Sequence, residues 1–218
     1  MSSQLSFDSE FAARSAIRAL DAWRACPERL GYKRRSYELL PVGTRSVLDV
    51  GCGTGDDVLS LSERLGADAI VVGIDRHLEL IDEASRRARN VALNVRFAVG
   101  DAHALPFADA TFDVVRADHL LQSVVDPARV LRELVRVAKV TGRILIQDDE
   151  AVMFPKRRPG ELSLPPEDLV GLCRRAGLGS VELVDAWRGQ SGGACDQGVS
   201  LVAVKARAPR DQGFRVAS

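Results

Sequence analysis

A chain of 218 residues is most simply one domain with a sizeable core. Hydrophobic residues make up 46% and charged residues 28%, with 30 basic against 30 acidic side chains and a pI near 6.8. That balance argues against nucleic acid or an anionic membrane surface as partner, and 5% aromatic content leaves little for stacking bases.

Residues 1–9 are polar and read as a frayed start. An amphipathic helix is predicted from Glu10 to Ala25, with Ala13, Ala16, Ile17, Leu20 and Trp23 on one face. Pro27 and Gly31 break it, and a second short helix is expected from Lys33 to Leu40, ending at Pro41. This helical cap (1–40) either covers the mouth of a ligand cleft or packs on a sheet edge. Two basic clusters, Lys33-Arg34-Arg35 and Lys156-Arg157-Arg158, read as solvated surface, the alternative being that one lines the entrance for an acidic substrate.

Ser46–Val50 is the first strand, and it runs into glycines at 51, 53 and 55 before a helix from Asp56 to Leu65. The second strand, Ala69–Ile74, ends in Asp75, and a helix follows from His77 to Arg89. A third strand, Val95–Val99, ends in Gly100-Asp101. Thr111–Arg116 is the fourth, Asp126-Pro127 opens a helix to Lys139, and Gly142–Gln147 is the fifth. Asp148-Asp149-Glu150 sits at its end, and three consecutive acids do not converge on one metal. A proline-rich loop leads to a helix from Glu167 to Ala176. Strands six (Val181–Ala186) and seven (Val199–Ala206) are joined by a Gly/Ser-rich linker, and the tail after Pro209 reads as unstructured.

Strands that are near-continuous apolar runs and alternate with helices imply an α/β fold, a doubly wound parallel sheet covered on both faces. Strands six and seven, with no helix between them, suit an antiparallel pair. The chain divides into the cap, a core at 41–150, the rest of the sheet at 151–208 and a tail at 209–218, all within one domain. The four cysteines (26, 52, 173, 195) show no metal-type spacing and read as reduced. With no leader-like apolar run at the N-terminus and no apolar stretch long enough to span a bilayer, a cytoplasmic protein is expected.

In such sheets ligands lie at the carboxyl ends of the strands. Polar residues stand at nearly every one: Gly51 to Gly55, Asp75, Asp101, Arg116 to Gln122, and Asp148. Asp75 follows Gly55 by twenty positions, where a doubly wound nucleotide site places an acid on the ribose diol. The competing reading is a cap on the next helix. Asp101 suits an exocyclic amine, or is simply a turn aspartate. The glycines run G-x-G-x-G. Aligned on Gly51 and Gly53, the third glycine of a dinucleotide fingerprint would fall on Asp56, which fails, and the lysine of a triphosphate-binding loop is missing.

These motifs carry a resemblance. Val47-Leu-Asp-Val-Gly-Cys-Gly-Thr-Gly-Asp-Asp57 resembles the first motif of class I S-adenosylmethionine-dependent methyltransferases, and Gly73-Ile-Asp75 the second. Val99-Gly-Asp-Ala-His-Ala-Leu-Pro-Phe107 with Phe112-Asp-Val-Val115 is similar to the third and fourth in the small-molecule branch related to the ubiquinone/menaquinone biosynthesis methyltransferases (methyltransferase type 11). The helix Asp126-Pro127 through Val137 matches as well. The resemblance covers residues 40–150 closely and the remainder in outline. It implies a Rossmann-like sheet of seven strands, order 3-2-1-4-5-7-6 with strand seven antiparallel, and S-adenosyl-L-methionine as cofactor.

It further implies that Gly51, Cys52, Gly53 and Gly55 approach the methionine part, and that Asp49 supports the turn and orients the amino group. Asp75 would bind the ribose and Arg76 would lie along the adenine, with Asp101 and Ala102 on its edge. Arg116 would lie near the sulfonium through its backbone, with His119 and Gln122 beyond. Relatives often carry His where Ser123 stands, and Pro-Gly-Gly where Val140-Thr141-Gly142 stands. The first departure removes a common candidate base and leaves His119 as the best placed base or substrate orienter; a histidine that only packs is the competing reading. Trp23, Tyr32 and Phe154 are candidates for an apolar lid over the acceptor, while Tyr37 reads as core. The reaction expected is in-line methyl transfer to an O, N or C nucleophile of a small molecule by a monomer or homodimer, with no nucleic acid or inserted membrane partner. A protein of this fold that binds the cofactor but acts as a cyclase, isomerase or scaffold is the alternative.

Overall fold

The computed structural model describes residues 10–25, 27–91, 94–149, 166–176, 178, 180–186 and 199–205. Two helices open the chain, α1 (Glu10–Arg24) and α2 (Pro27–Glu38). The expected break at Gly31 does not occur. Pro27 starts α2, since a proline in the first turn lacks only an N–H that would have no helical partner. The helix then runs through Gly31, at a cost of about 1 kcal/mol, because its last turns bury Ser36 and Tyr37 against the sheet.

The rest alternates: β1 (Ser46–Val50), α3 (Asp56–Leu65), β2 (Ile70–Asp75), α4 (Leu78–Ala88), β3 (Val95–Val99), β4 (Phe112–Asp118), a short 3-10 turn (Leu121–Ser123), α5 (Pro127–Val137), β5 (Ala138–Asp149), α6 (Pro166–Arg175), β6 (Ser180–Ala186) and β7 (Val199–Lys205). The parallel core runs β3-β2-β1-β4-β5. β7 lies antiparallel beside β5, and β6 antiparallel beside β7. This is the expected α/β fold with a mainly parallel sheet.

Two boundaries differ from expectation. β4 continues past Arg116 to Asp118, because β5 pairs with it as far as Asp118↔Gln147. α5 stops at Val137, where the strand begins at once. The backbone of Ala138 is already extended, and the register slips from Phe112↔Ala138 to Val114↔Arg143. Gly142 permits that slip. A Cβ there would stand 2.8 Å from the Lys139 carbonyl and 3.0 Å from that of Asp113.

Alternation along each strand divides the core into two apolar layers. On one face Leu48, Val115, Ile144 and Ile146 pack against Val130, Leu131 and Leu134 of α5, all fully buried. Each such side chain contributes roughly 1.5–3 kcal/mol. On the other face Val47, Val71, Val114 and Leu145 meet Val58 and Leu61 of α3 and Ile81 of α4. Two residues further along β1, β4 and β5, the same face carries Asp49, Arg116 and Gln147 in place of aliphatics. That switch from apolar to charged marks the site.

Candidate functional site

The glycine turn between β1 and α3 is left-handed at Gly51 (φ 80), Gly53 (φ 54) and Gly55 (φ 78). At Gly55 a side chain is excluded twice over, since its Cβ would stand 2.7 Å from the Phe97 ring and 2.8 Å from Ala84. The turn largely satisfies itself. Gly51 and Cys52 donate to the Ile74 carbonyl, Gly55 donates to that of Cys52, and Gly53 donates to Asp75 Oδ2 at 3.0 Å. Moreover, the first turn of α3 already holds two carboxylates, Asp56 and Asp57. They neutralise the positive end of the helix. The turn is therefore a poor phosphate cradle and suits a neutral or cationic ligand.

Below it lies a buried charge cluster centred on Arg116, 1% exposed. Its Nη1 donates to Asp49 (3.1 Å) and Asp57 (2.9 Å), and its Nη2 to Asp118 (2.9 Å) and Gln147 Oε1 (2.7 Å). Lys33 of α2 donates to Asp57 at 2.7 Å and stands 3.6 Å from Asp118. The Tyr37 hydroxyl donates to Asp57 at 2.6 Å. Burial pushes the Asp49 carboxyl up to about 6, with Arg116 only partly offsetting it. Burial also acts on Asp57, but Arg116 and Lys33 outweigh it and hold that carboxyl below its usual range. Asp118 lies well below, because His119, Arg116 and Lys33 together overcome burial. Burial, reinforced by Asp49 and Asp75, drives the Cys52 thiol well up, so it is no nucleophile.

His119 follows β4 with a left-handed backbone (φ 54), fixed by its N–H donating to the Gln147 carbonyl at 2.7 Å. Its Nδ1 contacts Asp118 Oδ1, and its ring meets Trp23 edge-on at 4.4 Å between centroids. The Lys33 ammonium lies 5.5 Å from the centre of the Trp23 ring. Thus α1 and α2 cover the site and not merely a sheet edge. Leu20 reaches to 3.5 Å from where a Gly53 Cβ would stand, Arg24 pairs with Asp56, and Arg87 of α4 bridges Asp21 and Asp56.

The predicted residues take the following places in the structure. Asp75 is buried at the end of β2, and its Oδ1 accepts from the His77 N–H at 3.0 Å. It therefore caps α4 while holding the turn, and His77 is the helix start. Asp101 is exposed and accepts from the N–H of His103 (2.9 Å); its Oδ1 also contacts His103 Nδ1 (2.7 Å). Ala102 is buried beside it, Arg76 is exposed, and Gln122 is half-buried on the 3-10 turn. Arg116 is expected to act through its backbone; the structure adds that its side chain is the hub of the buried cluster. Lys33 corrects the reading of its basic cluster as solvated; Arg34 and Arg35 are exposed, whereas Lys33 is drawn in by Asp57. Tyr37 is core, but with a polar task. Asp57 and Gln147 were given no site role, and Asp118 entered only as part of the Arg116 to Gln122 stretch. Phe154, the Tyr32 side chain and the side chains of Asp148, Asp149 and Glu150 lie outside the described residues.

Comparison with known proteins gives this geometry a family. The profile described as "Methyltransferase domain" matches residues 43–161, more than half of the sequence. The chain belongs to the methyltransferase domain family. A relative named demethylmenaquinone methyltransferase, from Thermus thermophilus, is 35% identical over 147 residues, covering 67% of this chain and 60% of that protein. The chain spans between 30% and 60% of the length of the curated relatives it matches. Among solved structures, a SAM dependent methyltransferase from Aquifex aeolicus superposes with a TM-score of 0.69 at 23% identity, covering 88% of this chain and 97% of that one. The [4+2]-cyclase SpnF does so at 0.66 and 22%, covering 81% and 82%. At these identities the superpositions show the fold. S-adenosylmethionine fits this methyltransferase site: glycine backbone lines the turn, no phosphate cradle competes, and acids stand at the ends of β1, β2 and β3.

Proposed function

We propose that the chain transfers a methyl group from S-adenosyl-L-methionine to a small-molecule acceptor. The reading is carried by one observation, a glycine turn whose following helix carries two carboxylates in its first turn, above a buried charge cluster with more acids than bases among the described residues. That arrangement suits a sulfonium and disfavours a dinucleotide phosphate. When bound, the cofactor supplies a methyl on a good leaving group, so orientation provides much of the acceleration.

Gly51, Cys52, Gly53 and Gly55 line the methionine part. Asp49 and Arg116 set the charge beneath it, and Asp75 accepts from the ribose diol. Arg76, Asp101 and Ala102 flank the adenine. Gln122 and His119 face the acceptor under Trp23. The same reading takes the chain as one domain of the seven-stranded family order, supported by the antiparallel register of β7 on β5. It acts in the cytoplasm as a monomer or homodimer; no described helix is long and apolar enough to cross a membrane.

A thermal-shift comparison of S-adenosylhomocysteine with NAD tests the cofactor. A specific ligand at a hundredfold over its Kd stabilises by about 2.7 kcal/mol. Stabilisation by NAD alone would refute the assignment. Turnover is then read as S-adenosylhomocysteine formed with hydroxyl, amine and carbon acceptors. Binding without any such product would favour a cyclase-type role, the activity named for SpnF.

A further inference from the structure

The charge cluster beneath the glycine turn is unbalanced. Among the described residues three buried carboxylates, Asp49 on β1, Asp57 on α3 and Asp118 on β4, face two cations, Arg116 on β4 and Lys33 on α2. Tyr37 and Gln147 contribute only neutral hydrogen bonds. The groups just outside, Arg24, Arg86 and Arg87 against Asp21, Asp56 and Glu83, balance among themselves. Among the described residues one negative charge is left over, out of water, where such an excess is costly. Three things can cancel it: a proton on Asp49, a proton on His119, whose Nδ1 touches Asp118, or a cationic ligand over the turn; of the two protein groups, His119 is the one at the acceptor end of the site.

We infer that His119 holds its proton in exchange with the positive charge of the methyl donor: it is an imidazolium in the empty site and a neutral base once a sulfonium is bound. The inference rests on the S-adenosylmethionine reading above and deepens it. In the bound state Asp118 keeps the proton on Nδ1, so Nε2 is the basic nitrogen. The acceptor's X–H proton then passes to Nε2, its electron pair forms the bond to the methyl carbon, and the C–S bond breaks with its pair left on sulfur. Sulfur loses one positive charge and His119 gains one. The cluster stays neutral from the donor-bound state to the product state, and no charge has to cross the buried site during the step. The acceptor class that uses this device is protic, a hydroxyl or an N–H. A lone-pair acceptor with no proton to lose would leave it idle.

The test compares two ligands that differ in the sulfonium, S-adenosylmethionine and S-adenosylhomocysteine, on the full-length protein. Calorimetric binding in buffers of different ionisation enthalpy counts protons. The sulfonium ligand should release up to about one proton more per site than the thioether, and the difference should vanish in His119→Gln. The chain has only three histidines, at 77, 103 and 119, so isotope-labelled histidine spectra resolve the same event directly. The signal lost in His119→Gln should be neutral in the S-adenosylmethionine complex and imidazolium-like in the S-adenosylhomocysteine complex at one pH. Equal proton release by both ligands would overturn the inference. So would a difference that survives in His119→Gln, which would place the proton on Asp49. Failure of both ligands to bind would instead remove the methyltransferase reading on which the inference stands.

Discussion

Replacing Arg116 by Met keeps much of the volume of the side chain and removes its charge. The guanidinium is 1% exposed and serves four acceptors, three of them carboxylates. Breaking a buried ion pair by removing one partner costs about 3–5 kcal/mol, because the other charge stays buried. Here three are stranded, with only Lys33 and the His119 ring left against them, so the loss at pH 7 should fall within that range. The pH dependence is the sharper check. In the wild-type protein Asp57 and Asp118 lie below their ordinary value of 3.8, so their contribution is present above about pH 4 and is lost as pH falls through the lowered values. Asp49 has the opposite sign. Raised to about 6, it favours the fold fully below about pH 4 and loses that contribution as pH rises through 6. Without Arg116 all three should move in the direction of Asp49, Asp118 least, because His119 and Lys33 still face it. The difference between wild type and variant should therefore be largest near pH 7–8 and shrink toward pH 5, by up to about 1.4 kcal/mol per unit for each extra proton held. Urea denaturation followed by circular dichroism, with the slope checked for constancy, measures it. Arg116→Lys keeps the charge but not the fork and should lose about 1.5–3 kcal/mol. A loss under about 1 kcal/mol for Arg116→Met, or one that does not change with pH, would show that the cluster is not the buried charge centre described.

Gly55→Ala should destabilise by roughly 2–4 kcal/mol in the same assay, combining a left-handed backbone with overpacking against Phe97 and Ala84; a neutral result would mean that the turn shifts freely. Asp75→Asn should weaken S-adenosylhomocysteine binding by about 1.5–3 kcal/mol, roughly ten- to a hundredfold, by calorimetry. Unchanged affinity there would leave Asp75 as a cap of α4 alone. Trp187→Phe leaves Trp23 as the only tryptophan, and its fluorescence should change on binding S-adenosylhomocysteine, because α1 covers the turn; an indifferent spectrum would argue that the cap stands clear of the cofactor.

Much of this was legible in the residues. Apolar runs ending in glycine or acid, separated by amphipathic helices, contain the parallel core, since period-2 and period-3.6 patterns are local properties of the chain. The placing of Gly51–Gly55, Asp75 and Asp101 at successive strand ends follows from the same pattern. A further signal was present and unused. Val47–Asp49, Val114–Arg116–Asp118 and Leu145–Gln147 are alternate residues of buried strands, and a charge at such a position has to find a buried partner.

Which partner it finds is decided only by tertiary structure. Asp49 and Arg116 meet because β1 and β4, more than sixty residues apart, are sheet neighbours in register. Lys33 leaves a basic surface run, and Tyr37 leaves an ordinary core role, because α2 folds back over α3 and offers both to Asp57. Local propensity made the strands, the helices and the glycine turn. The distribution of charge beneath that turn is a property of side chains brought together across the sheet, and no window of sequence contains it.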